Sequence, residues 1–176
     1  MTIRLLDRSP FPPDPSEIAF RDERVRVRAD QIILWVTLTI KRIASANPSA
    51  TPFPVILDTG NMHTFAIQER HLIDWAGIRA ETMELLGNLR DRRQRIPLHA
   101  ANIWLHPSEK GSRDQLADRE PFVLAAPRGI AVYPGDFPRL PLLGLRAIAD
   151  NRLILKVDGT RREATLRTAY QWWPFS

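Results

Sequence analysis

Hydrophobic and polar positions alternate strictly in RVRVRA, Arg24 to Ala29, where valines take one face and arginines the other, the pattern of a half-buried strand. Across Asp30-Gln31 the chain enters IILWVTLTIK. There Ile32, Leu34, Val36, Leu38 and Ile40 share a face, while Thr37, Thr39 and Lys41 point the other way. Together these two runs predict a hairpin. QERHLIDWAG predicts a short helix stopped by Gly77. AANIWLH predicts a strand, and PFVLAAPRGIAVYP one or two more. LPLLGLRAIADN reads as a strand that passes through Gly144 into a helix ending near Asp150. RLILKVDGTRREATLRT is a hairpin around Asp158-Gly159, a strong turn pair.

Many short strands with turn signals and only one or two short helices predict a mostly-β fold, a small barrel or sandwich in one domain. SPFPPDPS, residues 9–16, carries too many prolines for a helix or a central strand. Residues 1–23 are therefore expected to be a proline-rich leader, 24–168 the folded domain, and 169–176 an aromatic tail bearing Trp172, Trp173 and Phe175.

Composition narrows the classes. A chain of 176 residues with 44% hydrophobic and 26% charged side chains has the balance of a globular domain. It contains no cysteine, which excludes disulfides and thiolate chemistry and fits a reducing compartment. The amino terminus has no apolar core of signal-peptide length, and Ile32 to Ile40 is too short to span a bilayer. The expectation is a cytoplasmic protein without membrane contact. The net charge of +5 is almost entirely arginine, and the densest cluster is Arg90, Arg92, Arg93 and Arg95. No RNA-binding motif with interleaved aromatics accompanies it, so a solvated loop is expected and nucleic acid is not. The four histidines, His63, His71, His99 and His106, lack metal-ligand spacing. No metal or cofactor is expected.

One stretch breaks the logic of a buried strand. VILDTGNMHTFAI, Val55 to Ile67, delivers a carboxylate at the end of an apolar run, follows it with Thr59 and Gly60, and turns apolar again. Glycine allows sharp turns and close approach by another backbone, and threonine supplies a hydroxyl. All three are also ordinary turn residues. Some eighty residues later Leu142-Leu143-Gly144 joins a strand to a helix, and a polar, glycine-bearing segment from Leu85 to Pro97 lies between.

In this order, the features resemble the retropepsin-like aspartic peptidases, the family of retroviral proteases and their cellular and bacterial relatives, with a bacterial member expected. The resemblance covers about Arg24 to Thr168. It implies a small closed barrel of the acid-protease type, with Asp58 as the catalytic carboxylate and Thr59 and Gly60 shaping its loop. Leu143 and Gly144 would support that loop from below. A flap would cover the substrate, with Gly87, Asn88 and Leu89 in it and Gly87-Asn88 at a mobile tip. A single Asp-Thr-Gly implies a homodimer in which two Asp58 carboxylates face each other, acting on a peptide or protein. Three positions depart from the family pattern. Asn61 stands where alanine or serine is usual, Met62 replaces an aspartate, and Arg146 therefore lacks its customary partner. The alternative is a catalytically inactive dimer on the same fold that binds a peptide or protein. His63 is expected at the surface.

Overall fold

The structure, a computed structural model, describes residues 2–91 and 94–169. Arg92, Arg93 and residues 170–176 of the aromatic tail lie outside the described residues. Fourteen strands and two six-residue helices make the fold mostly β among those residues. In chain order the strands are β1 (Arg4–Pro10), β2 (Ser16–Phe20), β3 (Glu23–Val27), β4 (Ile32–Ile40), β5 (Phe53–Asp58) and β6 (Phe65–Gln68). After helix α1 (Glu69–Asp74) come β7 (Leu85–Asp91), β8 (Gln94–His99), β9 (Ala101–His106), β10 (Phe122–Leu124), β11 (Ile130–Tyr133) and β12 (Leu142–Gly144). Helix α2 (Leu145–Asp150) and the hairpin β13 (Leu153–Asp158) and β14 (Glu163–Thr168) complete the order.

Nine strands form one sheet in the order β10-β9-β4-β5-β12-β6-β11-β8-β7. Among the described residues this sheet is open, with β10 and β7 at its edges, and the expected closed barrel is not seen. Closure would require those two edge strands to pair, and no local sequence pattern specifies which edges meet.

The hairpin expected between β3 and β4 does not form. β3 pairs with β2, and its Val25 and Val27 are buried while Arg24 and Arg26 stay exposed, as the alternation predicts. β4 instead lies between β5 and β9. The reason is burial on both faces: every side chain from Ile33 to Thr39 is buried. A strand with no solvated face needs neighbours on both edges. Its two threonines are satisfied inside the core. Thr37 Oγ1 bonds His106 Nε2 at 3.0 Å, and Trp104 Nε1 donates to Thr39 Oγ1 at 2.9 Å.

Residues 1–23, expected as a leader, are built into the fold. β1 pairs antiparallel with β14, and Leu5, Leu6, Phe11, Ile18 and Phe20 are all buried. A register shift between Leu6 and Ser9, with Arg8 in the left-handed region at φ 57°, breaks the alternation that would have marked β1. Side chains from all three sheets meet in one hydrophobic core running from Leu5 to Leu166.

Candidate active site

β5 carries its apolar run, Val55-Ile56-Leu57, into the core and ends at Asp58. The chain turns through residues 59–64 and returns as β6, which is wholly buried. Between these two arms lies β12. It runs parallel to β5, with Leu142 opposite Ile56, Leu143 opposite Leu57 and Gly144 opposite Asp58. Toward β6 it runs antiparallel, with Leu143 opposite Phe65. The Leu143-Gly144 segment therefore threads through the mouth of the aspartate loop.

The crossing is possible because residue 144 has no side chain. A Cβ there would collide with the His63 carbonyl and sit 2.7 Å from the Asn61 carbonyl oxygen. The Gly144 N–H instead donates to the Thr64 carbonyl at 3.0 Å, pinning the far side of the loop. Leu143, fully buried, fills the space beneath. Both residues lie in β12, against the backbone of the loop that follows Asp58.

Asp58 is half-buried, and Thr59 and Gly60 are exposed. The Gly60 N–H donates to Asp58 Oδ1 at 2.9 Å, and the Asn61 N–H donates to the Asp58 carbonyl at 3.0 Å. One carboxylate oxygen is held by backbone, and the other has no hydrogen bond among the described residues. The loop thus fixes the carboxylate while leaving an oxygen for water or substrate. Asn61 turns its Oδ1 inward to accept from the His63 N–H at 3.3 Å. Met62 is 63% exposed and Leu145, just beyond the crossing, 51%. Two large apolar side chains, one within the loop and one just after the crossing, therefore stand in solvent.

His63 is buried, not at the surface. Its Nε2 bonds the Tyr133 hydroxyl at 3.0 Å, and that hydroxyl reaches Asp91 Oδ2 at 3.4 Å. With Tyr133 donating to the carboxylate, the hydroxyl is left to accept from His63 Nε2–H. Burial holds the His63 pKa below its ordinary value, so the ring is neutral near pH 7. Burial and then the charge of Asp91 raise the Tyr133 pKa, which keeps the phenol protonated. The chain of three groups ties the aspartate loop to the hairpin β7–β8. Neither Tyr133 nor Asp91 carries a motif, and their separation of 42 residues leaves nothing local to read.

β7 and β8 form the expected hairpin, with Leu89 opposite Ile96 and Asp91 opposite Gln94. Gly87-Asn88 is not its tip. Both residues lie within β7, next to a register shift between Leu85 and Gly87, and the pairing with β8 continues past them to Asp91 opposite Gln94. The misplacement arose because glycine marks an irregular strand as readily as a turn. Arg90 and Arg95 face one another across the hairpin, an arrangement of like charges that weakens pairing toward its end.

The hairpin base and the aspartate loop border an open cavity of about 540 Å³ lined by Thr64, Leu86, Leu89, Leu98, Arg128 and Arg146, among others. Gly129 closes its wall at φ 75°, where a Cβ would lie 2.5 Å from the His99 carbonyl oxygen and 2.9 Å from Leu86 Cδ1. Asp58 is not among the lining residues, so the cavity flanks the carboxylate rather than containing it.

This geometry defines a mostly-β chain in which a glycine-bearing strand crosses between the arms of an aspartate loop beneath a β-hairpin. In comparisons with known proteins, no family model, no curated protein and no solved structure matches the chain.

Proposed function

We propose that the protein is a homodimeric aspartic endopeptidase of the retropepsin-like type. The observation that carries this reading is the passage of Leu143-Gly144 between β5 and β6, which places Gly144 in register with Asp58. A surface turn that happened to contain Asp-Thr-Gly would need no such crossing. The same arrangement supports an acid-protease architecture although the described sheet is open.

Each chain contributes one Asp58. Two carboxylates brought within hydrogen-bond reach cannot both ionise readily, so the pair holds one proton between them. The ionised member takes a proton from a bound water as that water attacks the substrate carbonyl. The protonated member donates to the carbonyl oxygen, and proton return to the leaving amine completes cleavage. Held by the Gly60 N–H, each carboxylate needs little reorganisation during these steps. The exposed Met62 and Leu145 supply apolar surface beside the loop for a second copy across a two-fold axis. The hairpin β7–β8 serves as the flap, and Leu89 is its substrate-facing member. The reading invokes neither metal nor cofactor.

The test is Asp58→Asn. Asparagine keeps the shape and accepts the Gly60 hydrogen bond, so fold and assembly persist. It cannot share a proton as a carboxylate does, and both members of the dyad are lost at once. Peptide cleavage is expected to fall by about three orders of magnitude or more, with peptide binding weakened but retained. Cleavage at the wild-type rate by the variant contradicts the proposal. If neither protein cleaves any peptide of a broad library between pH 3 and 8, the fold acts as a peptide-binding module.

A further inference from the structure

The cavity between the β7–β8 hairpin and the aspartate loop combines an apolar floor with polar groups to which the peptidase reading gives no role. Its floor is apolar, from Leu86, Leu89 and Leu98, and two of these are exposed large hydrophobics at 44% and 37%. Two guanidinium groups, Arg128 and Arg146, stand on its wall, and among the described residues neither has a carboxylate within ion-pair distance. Thr64 also lines it. This residue is only 2% exposed, and its buried Oγ1 has no hydrogen-bond partner among the described residues. A buried hydroxyl left unsatisfied is costly, and an apolar pocket with convergent polar groups is the usual form of a ligand site.

We infer that this cavity is a subsite for an acidic side chain, glutamate or aspartate, of an extended peptide. The methylene groups of that side chain rest on the leucines. Its carboxylate sits between Arg128 and Arg146. Charge complementarity selects the ligand: two arginines line the cavity, and among the described residues no acidic side chain does. Guanidinium groups suit this role because their forked donors match a carboxylate's two oxygens. The departure at Met62 contributes, since no acidic side chain at that position competes for Arg146. The cavity flanks Asp58, so the acidic residue lies some positions away from the bond that is cut. The inference rests on the peptidase reading for the ligand being a peptide, and on the cavity alone for its charge.

The experiment uses the full chain carrying Asp58→Asn, which holds peptides without turning them over. Fluorescent extended octapeptides carry one Glu, or Gln in its place, at each position in turn, and binding is read by anisotropy. At one position Glu is expected to bind roughly tenfold more tightly than Gln, the gain when charge-assisted hydrogen bonds replace neutral ones. Arg146→Gln and Arg128→Gln, each added separately, bring that ratio toward one. Arg128 is exposed, so its variant tests the site without threatening the fold. Urea unfolding confirms that both variants are folded.

Equal binding of the Glu and Gln peptides at every position overturns the inference, as does a preference that survives both substitutions. So does arginine-dependent binding of a single-stranded oligonucleotide with no Glu–Gln difference. Wild-type cleavage of the same peptides separates the two readings. Glu-selective binding without cleavage preserves the subsite and removes the peptidase, whereas cleavage indifferent to Glu does the reverse.

Discussion

Gly144 shows how much one residue carries. Its missing side chain lets β12 pass between β5 and β6, and that passage sets the Asp58 loop. Gly144→Ala would drive a methyl group into the His63 and Asn61 carbonyls, which belong to backbone and cannot rotate away. Overpacking of this kind costs about 1–3 kcal/mol where side chains can adjust, so the upper end or more is expected here. The urea midpoint reads it; a midpoint unchanged from wild type would mean that the crossing is not tight. The adjacent placement of Asp58 and Gly144 was legible in the sequence because each motif is local, a carboxylate or a glycine where an apolar strand should continue. His63 was not. Its burial depends on a hydroxyl 70 residues away, and a lone histidine in a loop carries no sign of such a partner.

At the scale of elements, side chains tie the β7–β8 hairpin to the aspartate loop, through Asp91, Tyr133 and His63. Tyr133→Phe removes the shared hydroxyl while keeping the ring packed beside His63 and Phe137. The loss of stability is expected to be about 1 kcal/mol, with faster amide exchange concentrated in β7 and β8. Exchange that rises uniformly over the molecule would argue against a specific tie. Most strands of the large sheet were legible from alternation or apolar runs, and both helices from their glycine boundaries. Gly77 ends α1 as expected, its N–H donating to the Ile73 carbonyl at 3.1 Å with φ at 68°. The partners of β3 and β4 were not legible. Adjacent strands in sequence favour pairing, but the two-sided burial of β4 outweighed that tendency.

The whole molecule has a built-in response to acid. His71 stacks on Trp75 with ring centroids 3.8 Å apart, and burial, then the charge of Arg70, lowers its pKa from 6.5 to about 4. Between these values the unfolded chain binds a proton that the folded chain does not. The stability contributed by the neutral ring is therefore intact above pH 6.5 and is lost as pH falls toward 4. His71→Phe keeps the stacked ring without the titration. Its advantage over wild type should grow from pH 7 to pH 4.5 in urea unfolding; a constant difference would show that the ring titrates normally. Such a loss bears on the proposed function, because a shared-proton carboxylate pair would favour acidic pH. At this scale the sequence was least informative. The mostly-β class and the two helices follow from pattern, but the open sheet and the built-in amino-terminal strands depend on which edges meet.

The central claim is that two chains each lend one Asp58 to a single site. Wild-type and Asp58→Asn chains, mixed in varying ratio at constant total concentration and allowed to exchange, test it most directly through the rate of peptide cleavage. If every active unit needs two aspartates, activity follows the square of the wild-type fraction, and an equal mixture retains about a quarter of the full rate. Activity that falls in direct proportion to the wild-type fraction, leaving about half at the same mixture, would show that each chain acts alone and contradict the shared dyad.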